Sequence, residues 1–371
     1  MLFETVRNIK VFLNLEAGVT RGSVPAPRLS NPQQKTEQVF RRPEEIPRSR
    51  AKAKGTVLPR SSFDGDPQKF FLVGHGKSGT SWLMWLLHSH PEILCRGEGK
   101  FFGKDSHKSL YNALLSSQEL QTWLGRNPWT WQEQDPDLDD LLRVVVNYLM
   151  AEKLDKTNKR IVGDKTPLES KEAVEEIAAI CPGSKVIHII RDGRDVAVSA
   201  VHHRWNSATD KGGSIGLTPE QAAKREAYRA DAGAFGKDGQ SIFADGEVAT
   251  AARRWRVVVG NGIQQGIEHL GDDYYQIQYE ELLAKPIEQI RPVLEFLGVD
   301  SREEIARKCV EAASFEQKSG RKPGEEDPTS FFRKGVSGDW QNVLTREDRQ
   351  IFKAEAGDLL VELGYEKDND W

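Results

Sequence analysis

The sequence predicts an α/β fold, a single three-layer domain in which helices flank a central, mainly parallel sheet. Short apolar runs of strand length alternate with segments of helical periodicity, and this alternation is typical of a parallel sheet covered on both faces. The chain has 371 residues, of which 38% are hydrophobic and 29% are charged. This length allows a large core, and the composition excludes a disordered or membrane-spanning class for the bulk of the chain.

Eight segments carry the alternation, and each has the length and residue types of a strand or a helix. Strands rich in β-branched and aromatic residues are predicted at 70–73, 160–163, 185–190 and 274–278. Helices are predicted at 80–88, 171–180, 194–205 and 250–269. Residues 206–249 are rich in Gly, Ala and charges, and their weak periodicity predicts a lid or substrate loop.

The N-terminal part differs in composition from the rest of the chain. Residues 1–60 contain 12 lysines and arginines against 5 acidic residues, although the whole chain has a net charge of −4. We therefore predict a basic, proline-rich arm over residues 1–66 and one domain over residues 67–371. Residues 1–16 form an amphipathic pattern, which suits either a helix packed on its own domain or an anchor. A membrane surface or an acidic carrier protein are the partners that such an arm would suit.

Cysteine usage and hydropathy indicate the compartment. Cys95, Cys181 and Cys309 are widely spaced, without a CxxC pair or a nearby histidine at metal-ligand spacing, so we expect no disulfide framework and no metal site. The charged residues of the N-terminal stretch leave no uncharged run long enough for a secretory signal or a membrane span. We predict a cytoplasmic protein, and we expect no nucleic-acid partner.

Residues 70–82, FFLVGHGKSGTSW, carry a buried strand into a glycine-rich turn and then into a helix. A Walker A loop would need glycine at position 71, where this chain has Phe71, so the register differs from that of an ATP-binding loop. The physical arrangement is nevertheless P-loop-like, because backbone N–H groups and a helix N-terminus would face an anion beside Lys77. The alternative is a plain turn between strand and helix.

Two further stretches carry cations at the ends of predicted elements. In KVIHIIRDGRDVAVS a buried strand ends at Arg191, and Ser199 follows in the next helix, so the two could meet at a second phosphate. The alternative is a surface cluster of ion pairs, which contributes little free energy. In FFRKGVSGDWQN, Arg333 and Lys334 precede Gly335, a pattern that suits a clamp on the same phosphate.

The stretches KSGTSW, RDGRDVAVS and RKGVSGDWQN together resemble the sulfotransferases that use 3′-phosphoadenosine 5′-phosphosulfate (PAPS). The resemblance covers roughly residues 68–365 in the order of the family. It implies in-line transfer of a sulfuryl group from PAPS to a hydroxyl, or an amine, of a small-molecule, lipid or glycan acceptor. The product of the donor would be 3′-phosphoadenosine 5′-phosphate (PAP), and cationic side chains would take the place of a metal ion.

The resemblance also implies which residues bind the nucleotide. The residues that would hold the 5′-phosphosulfate are Lys77, Ser78, Gly79, Thr80 and Ser81. Those that would hold the 3′-phosphate are Arg191, Ser199, Arg333, Lys334 and Gly335. The adenine would lie between Trp82 and the Ser314–Phe315 pair, with Tyr279 reaching the nucleotide. For Trp82 and Phe315, ordinary core packing is the alternative.

The catalytic base separates two branches of the family. The cytosolic branch has a histidine in a Lys-Thr-His stretch, whereas this chain has GDKTPLES at 163–170. The chain is similar there to the glycan-modifying branch, in which a Glu shortly before a Phe-Phe pair is the base. This similarity implies Glu98 as the base and Lys165 as a contact of the sulfuryl group, with Asp164 as the rival base or as a cap. RKGVSGDW is closer to the cytosolic branch, so the chain mixes both patterns.

Acceptor pockets of such enzymes are built from variable loops, here expected at 103–158 and 206–249. Two other functions remain open from the residues alone. One is a P-loop-type kinase, which Phe71 disfavours. The other is a catalytically inactive module that binds a nucleotide or a carrier protein, which the combination of Lys77, Glu98 and Lys165 disfavours.

Overall fold

The computed structural model describes residues 67–126, 138–168, 172–208, 216–322, 324–325 and 334–371. The predicted arm over residues 1–66 therefore lies outside the described residues, as do Arg333 and parts of both predicted acceptor loops. Within the described ranges, none of the helices combines the length and the apolar character needed to span a bilayer.

Five parallel strands form one sheet in the order β2-β3-β1-β4-β5. The strands are β1 (Lys69–His75), β2 (Ile93–Gly97), β3 (Ile161–Leu168), β4 (Lys185–Ile190) and β5 (Tyr274–Gln278). At the centre, Val73 of β1 lies opposite Thr166 of β3 on one side and His188 of β4 on the other. Because all pairs are parallel, the carboxyl ends of the strands meet at one edge, where ligands of open α/β sheets bind.

Helices connect the strands and cover both faces of the sheet. In chain order they are α1 (Thr80–His88), α2 (Leu110–Ser116), α3 (Gln118–Arg126), α4 (Leu138–Leu154), α5 (Ala173–Ile180), α6 (Gly193–Ser207), α7 (Pro219–Ala230), α8 (Glu247–Gln265), α9 (Tyr279–Ala284), α10 (Pro286–Leu297), α11 (Glu303–Ala312), α12 (Phe315–Ser319), α13 (Trp340–Val343) and α14 (Arg346–Glu362). The predicted α/β class with a parallel sheet between helical layers is confirmed.

The central strand β1 is apolar on both faces because each face is covered. Phe70 and Leu72 pack in one core cluster with residues of α1 and α10. Phe71 and Val73 point to the opposite face and pack with residues of α4 and α5. Alternate residues of one strand thus anchor two helical layers, which fixes the position of the loop that follows β1.

The structure extends some predicted elements and adds others. The segments predicted at 80–88, 185–190 and 274–278 have the bounds of α1, β4 and β5. Strand β3 continues through Asp164 and Lys165 to Leu168, where the prediction ended at 163. Strand β2 was not predicted, and α7 lies in the segment predicted as a loop. Helix α7 begins with a capping box in which Thr218 and Gln221 each accept a backbone hydrogen bond of the other.

Candidate functional site

The glycine-rich loop between β1 and α1 lies at the carboxyl edge of the sheet. Gly79 caps α1 with a φ of +92°, a conformation that favours glycine. A Cβ atom at Gly79 would come within 2.4 Å of Cδ2 of Tyr279, at the end of β5. Because the Tyr279 ring approaches so closely, the residue that caps the N-terminus of α1 must lack a side chain. The backbone N–H groups of the first turn of α1 are directed at the loop.

Lys77 lies in this loop and is half-buried among other cations. Burial, and with it the charges of Arg191 and Lys165, lowers the pKa of its amine from 10.5 to about 8. Next to it, the buried hydroxyl oxygen of Ser78 has no hydrogen-bond partner among the described residues. A bound anion would relieve the repulsion between the cations and satisfy this hydroxyl.

Arg191 follows β4 and connects the loop to a distant part of the chain. Its guanidinium donates to the carbonyl oxygen of Lys77 at 3.2 Å and to that of Val336 at 3.1 Å. The same group lies over the Tyr279 ring, 4.5 Å from its centroid. The indole of Trp255 donates to the carbonyl oxygen of Arg191 at 3.0 Å, which fixes the backbone at the end of the strand.

Asp195, in the first turn of α6, holds the C-terminal loop in place. Its Oδ2 accepts from the backbone N–H of Gly338 at 2.7 Å, and its Oδ1 accepts from that of Trp340 at 2.9 Å. Asp195, Asp192 and Arg194 are 2%, 5% and 1% exposed. The ion pairs of the alternative interpretation of RDGRD are present, but the surface position that it assumed is wrong: Arg194 pairs with Asp192 inside the protein, and Asp195 is bonded to the C-terminal loop.

The stretch RKGVSGDW is described from Lys334 onward, and Arg333 lies outside the described residues. Lys334 Nζ donates to Asp339 Oδ1 at 2.7 Å. Gly335 has a φ of +65°, and a Cβ atom there would come within 2.5 Å of Cδ2 of Phe315. The Phe315 ring thus packs directly on the backbone of this loop. Ser314 caps α12, since its hydroxyl accepts from the backbone N–H of Gln317 at 3.3 Å.

Trp82 lies in the first turn of α1, directly after the glycine-rich loop. Its indole donates to the carbonyl oxygen of Ala313 at 3.1 Å, and its ring lies 5.8 Å from that of Tyr279 in an edge-to-face arrangement. It also packs against the core cluster of α1 and α10, so part of its surface serves packing. Ser199 is half-buried in α6, one helical turn beyond Asp195.

Glu98 and Lys165 form an ion pair close to Ser81, which follows the glycine-rich loop. Lys165 Nζ lies 2.5 Å from Glu98 Oε1 and 3.4 Å from the hydroxyl oxygen of Ser81. In the sheet, Lys165 lies opposite Gly97, where a Cβ atom would come within 2.7 Å of the lysine Cε. The glycine before Glu98 therefore leaves room for the lysine stem to reach the loop.

Glu98 also lines a small cavity of about 20 Å³ at the mouth of the site. The cavity is enclosed by Glu98, Lys100, Phe102, Ser109, Thr166 and Pro167, together with Ser106 and Lys108. Glu98 is 34% exposed by side chain, so its carboxylate is open to this space while it bonds to Lys165.

Asp164 has a different environment, although it precedes Lys165 in the chain. It is 6% exposed, and its Oδ1 accepts from the backbone N–H of Gly99 at 2.9 Å, while its Oδ2 accepts from the Thr166 hydroxyl at 2.7 Å. Burial raises its pKa from 3.8 to about 6. Both oxygens are thus occupied, and the bond from Gly99 joins the Glu98 loop to β3.

The structure thus brings Lys77, Ser78, Lys165, Arg191 and Tyr279 together at one edge of the sheet. Sequence reasoning missed the role of Asp195 and the contribution of Trp255, because their contacts join segments that are far apart in the chain. The described ranges contain no cluster of His, Cys, Asp and Glu that could hold a metal ion.

Comparison with known proteins identifies a family and relatives that match most of this chain. The family model for the sulfotransferase domain matches residues 67–361. An uncharacterized protein of Aquifex aeolicus is 28% identical over 70% of this chain and 30% of its own length. A flavonol sulfotransferase-like protein of Flaveria bidentis is 22% identical over 80% of this chain and 82% of its own. The alignment thus spans less than a third of the bacterial relative.

Among solved structures, mouse sulfotransferase SULT7A1 complexed with PAP aligns with a TM-score of 0.45 and 20% identity. The alignment covers 81% of this chain and 86% of the mouse chain.

Proposed function

This chain belongs to the sulfotransferase-domain family, and we propose that it transfers a sulfuryl group from PAPS to an acceptor hydroxyl or amine. The observation that carries the proposal is a group of side chains brought together at the carboxyl edge of the sheet. There the cations Lys77, Lys165 and Arg191 lie near a helix N-terminus and the buried hydroxyl of Ser78, which has no hydrogen-bond partner within the described ranges. A nucleotide with a phosphate at each end fits such a pair of adjoining cationic positions.

The 5′ end of the donor is assigned to the loop Lys77–Ser81 together with Lys165. The 3′-phosphate is assigned to Arg191 and Ser199, with Arg333, Lys334 and Gly335 closing over it. Arg191 supports this division because its guanidinium already bonds to both the Lys77 carbonyl and the Val336 carbonyl. Trp82, Tyr279 and the Ser314–Phe315 pair are assigned to the base.

When bound, PAPS would supply a sulfuryl group attached to a phosphate that leaves as PAP. Lys77 is placed to neutralise charge that develops on the oxygen of that leaving group, since its ammonium lies in the loop and is partly desolvated. The ammonium of Lys165 donates both to the Glu98 carboxylate and to the hydroxyl oxygen of Ser81 in the loop. It therefore keeps the base and the anion-binding loop at a fixed separation.

Glu98 is the proposed base, and Asp164 is the proposed positioning residue. The Glu98 carboxylate opens onto the cavity from which an acceptor hydroxyl would approach. The Asp164 carboxylate is buried, and both of its oxygens already accept hydrogen bonds. We propose that Asp164 orients the Glu98 loop without touching the acceptor.

The acceptor is proposed to be a small molecule, a lipid or a glycan bound over this cavity. Incubation with ³⁵S-labelled PAPS and the polar, lipid and glycan fractions of a cell extract tests the reaction and the acceptor class together. We expect label in one fraction, and no label there with the Lys77→Ala or Glu98→Gln variants. Transfer of ³²P from labelled ATP instead of ³⁵S would contradict the proposal.

We also propose that residues 1–66 form a basic arm outside the catalytic domain of residues 67–371. An arm of this charge suits contact with a membrane surface or an acidic carrier protein. Comparison of full-length and arm-deleted protein at low and high salt tests this role. Activity towards a tethered acceptor that depends neither on the arm nor on salt would contradict it.

A further inference from the structure

A second cavity lies away from the edge of the sheet, between the loop after α7 and the face of α14. Its volume is about 440 Å³. It is lined by Lys237, Asp238, Arg346, Arg349, Lys353 and Trp371, together with Gln350. The backbone N–H of Lys237 donates to the carbonyl oxygen of Asn342 at 2.9 Å, which joins the loop to α13. None of the lining residues belongs to the site proposed for PAPS.

The charge of this cavity is predominantly positive. Arg346, Arg349 and Lys353 lie at intervals of three and four residues, so they share one face of α14. None of the three forms an ion pair in the described part of the chain. The single carboxylate among the lining side chains, that of Asp238, lies 4.0 Å from Lys237. Three cations of the helix therefore line the cavity without a direct ion-pair partner in the described part of the chain, and they outnumber the one side-chain carboxylate there.

Arg349 is held in position by neutral acceptors. Its guanidinium donates to the carbonyl oxygens of Leu344 at 3.2 Å and of Gln341 at 2.6 Å. It also lies over the Trp340 ring, 5.3 Å from the centroid. These contacts fix the direction of the group and leave its charge uncompensated, as in preformed anion sites.

Trp371 gives the cavity an aromatic wall and a further donor. Lys353 Nζ lies 5.3 Å from the centroid of the Trp371 ring. The centroids of the Trp340 and Trp371 rings are 6.1 Å apart, in an edge-to-face arrangement. The buried indole N–H of Trp371 has no hydrogen-bond acceptor among the described residues.

We propose that this cavity binds a small organic anion in which a phosphate or sulfate ester is attached to a planar ring. The ester oxygens would accept from Arg346, Arg349 and Lys353, and the ring would lie against Trp371. The volume admits a molecule of one or two rings. The site is separate from the PAPS site, although Arg349 and the N–H of Trp340 connect it to the loop that Asp195 holds.

Calorimetric titration of the full chain with phenyl phosphate at low salt tests the proposal, with PAP present in excess to occupy the nucleotide site. We expect a Kd below about 1 mM and a loss of about tenfold or more in the double variant Arg346→Gln/Lys353→Gln. The matched control is Arg307→Gln/Lys308→Gln on α11, which removes two exposed cations elsewhere and should leave the Kd unchanged.

The contribution of the ring is tested with inorganic phosphate and the variant Trp371→Leu. We expect Trp371→Leu to weaken the binding of phenyl phosphate. The binding of inorganic phosphate, which is weaker in the wild type, should not change. A repeat in Lys77→Ala protein without PAP should give the same Kd, which separates this site from the proposed PAPS site. No binding of phenyl phosphate at millimolar concentration, or an equal loss in the α11 control, would overturn the proposal.

Discussion

The carboxylate of Asp195 accepts a hydrogen bond from the backbone N–H of Gly338 at 2.7 Å, across 143 residues of the chain. The same carboxylate accepts from Trp340, and the neighbouring Arg191 donates to Val336. The strand end that carries Arg191 and the loop that carries Lys334 and Gly335 are therefore one unit. In the part of the proposed 3′-phosphate clamp that the structure describes, a buried acid that need not touch the nucleotide holds the loop in place.

Replacement of Asp195 by Asn should release this loop. The amide nitrogen of Asn would face the backbone N–H of either Gly338 or Trp340 and could not accept its hydrogen bond. Loss of that bond costs about 1–3 kcal/mol. We expect the affinity for PAP to fall by about tenfold or more, with a lower Tm, as measured by calorimetry and thermal unfolding. Asp272→Asn, on an exposed turn, is the control. Unchanged PAP affinity in Asp195→Asn would contradict the positioning role.

The low pKa of Lys77 predicts a particular dependence of PAP binding on pH. The ammonium is lost as the pH rises through about 8, well below the ordinary value of 10.5, because burial and the neighbouring cations disfavour it. We expect the affinity of the wild type to decline between pH 7.5 and 9.5, and that of Lys77→Arg to stay nearly constant over this range. A flat wild-type profile, or the same decline in Lys77→Arg, would argue against Lys77 as the titrating group.

Substitutions of the two neighbouring carboxylates, Glu98 and Asp164, should have different effects on kcat. Glu98→Gln removes the proposed base, so kcat should fall by about 100-fold or more while PAP affinity is retained. Asp164→Asn keeps an acceptor for Gly99 and a partner for Thr166, and we expect a decrease in kcat of less than about tenfold. The reverse order, with wild-type kcat/KM rising through pH 6, would identify Asp164 as the base.

Two glycines of one loop offer a matched test of its packing. A Cβ atom at Gly79 would lie 2.4 Å from the Tyr279 ring at a φ of +92°, whereas one at Gly76 would meet nothing within 4 Å. Gly79→Ala should therefore lower the free energy of unfolding by about 1–3 kcal/mol, and Gly76→Ala should change it little. Denaturant unfolding without ligand measures both. Equal stability of the two variants would show that Tyr279 does not constrain the loop.

The sequence was sufficient for the elements whose apolar pattern is strong. The runs at 70–73 and 185–190 are rich in large apolar residues because β1 and β4 are buried on both faces, and they were predicted together with α1. Strand β2 was missed because it is short and its last two residues, Arg96 and Gly97, are exposed. The extension of β3 through Asp164 and Lys165 was also missed, since polar residues interrupt the apolar pattern there.

Long-range contacts could not be inferred from one sequence. The spacing in RDGRD permits an ion pair between Arg191, after β4, and Asp195 in α6, and nothing local indicates that the acid bonds to Gly338 and Trp340. The helix at 219–230 had a local signal that was overlooked, the capping box of Thr218 and Gln221. The distinction between Glu98 and Asp164 needed their burial, which composition and spacing do not determine.

The most direct test of the central claim is a magnesium-free calorimetric titration with PAP, with ATP as the competing nucleotide. The account predicts a Kd of about 1 µM for PAP, a loss of binding in Lys77→Ala and Arg333→Ala, and no binding of ATP. Absence of PAP binding, or a preference for ATP that depends on magnesium, would contradict the account and favour a kinase.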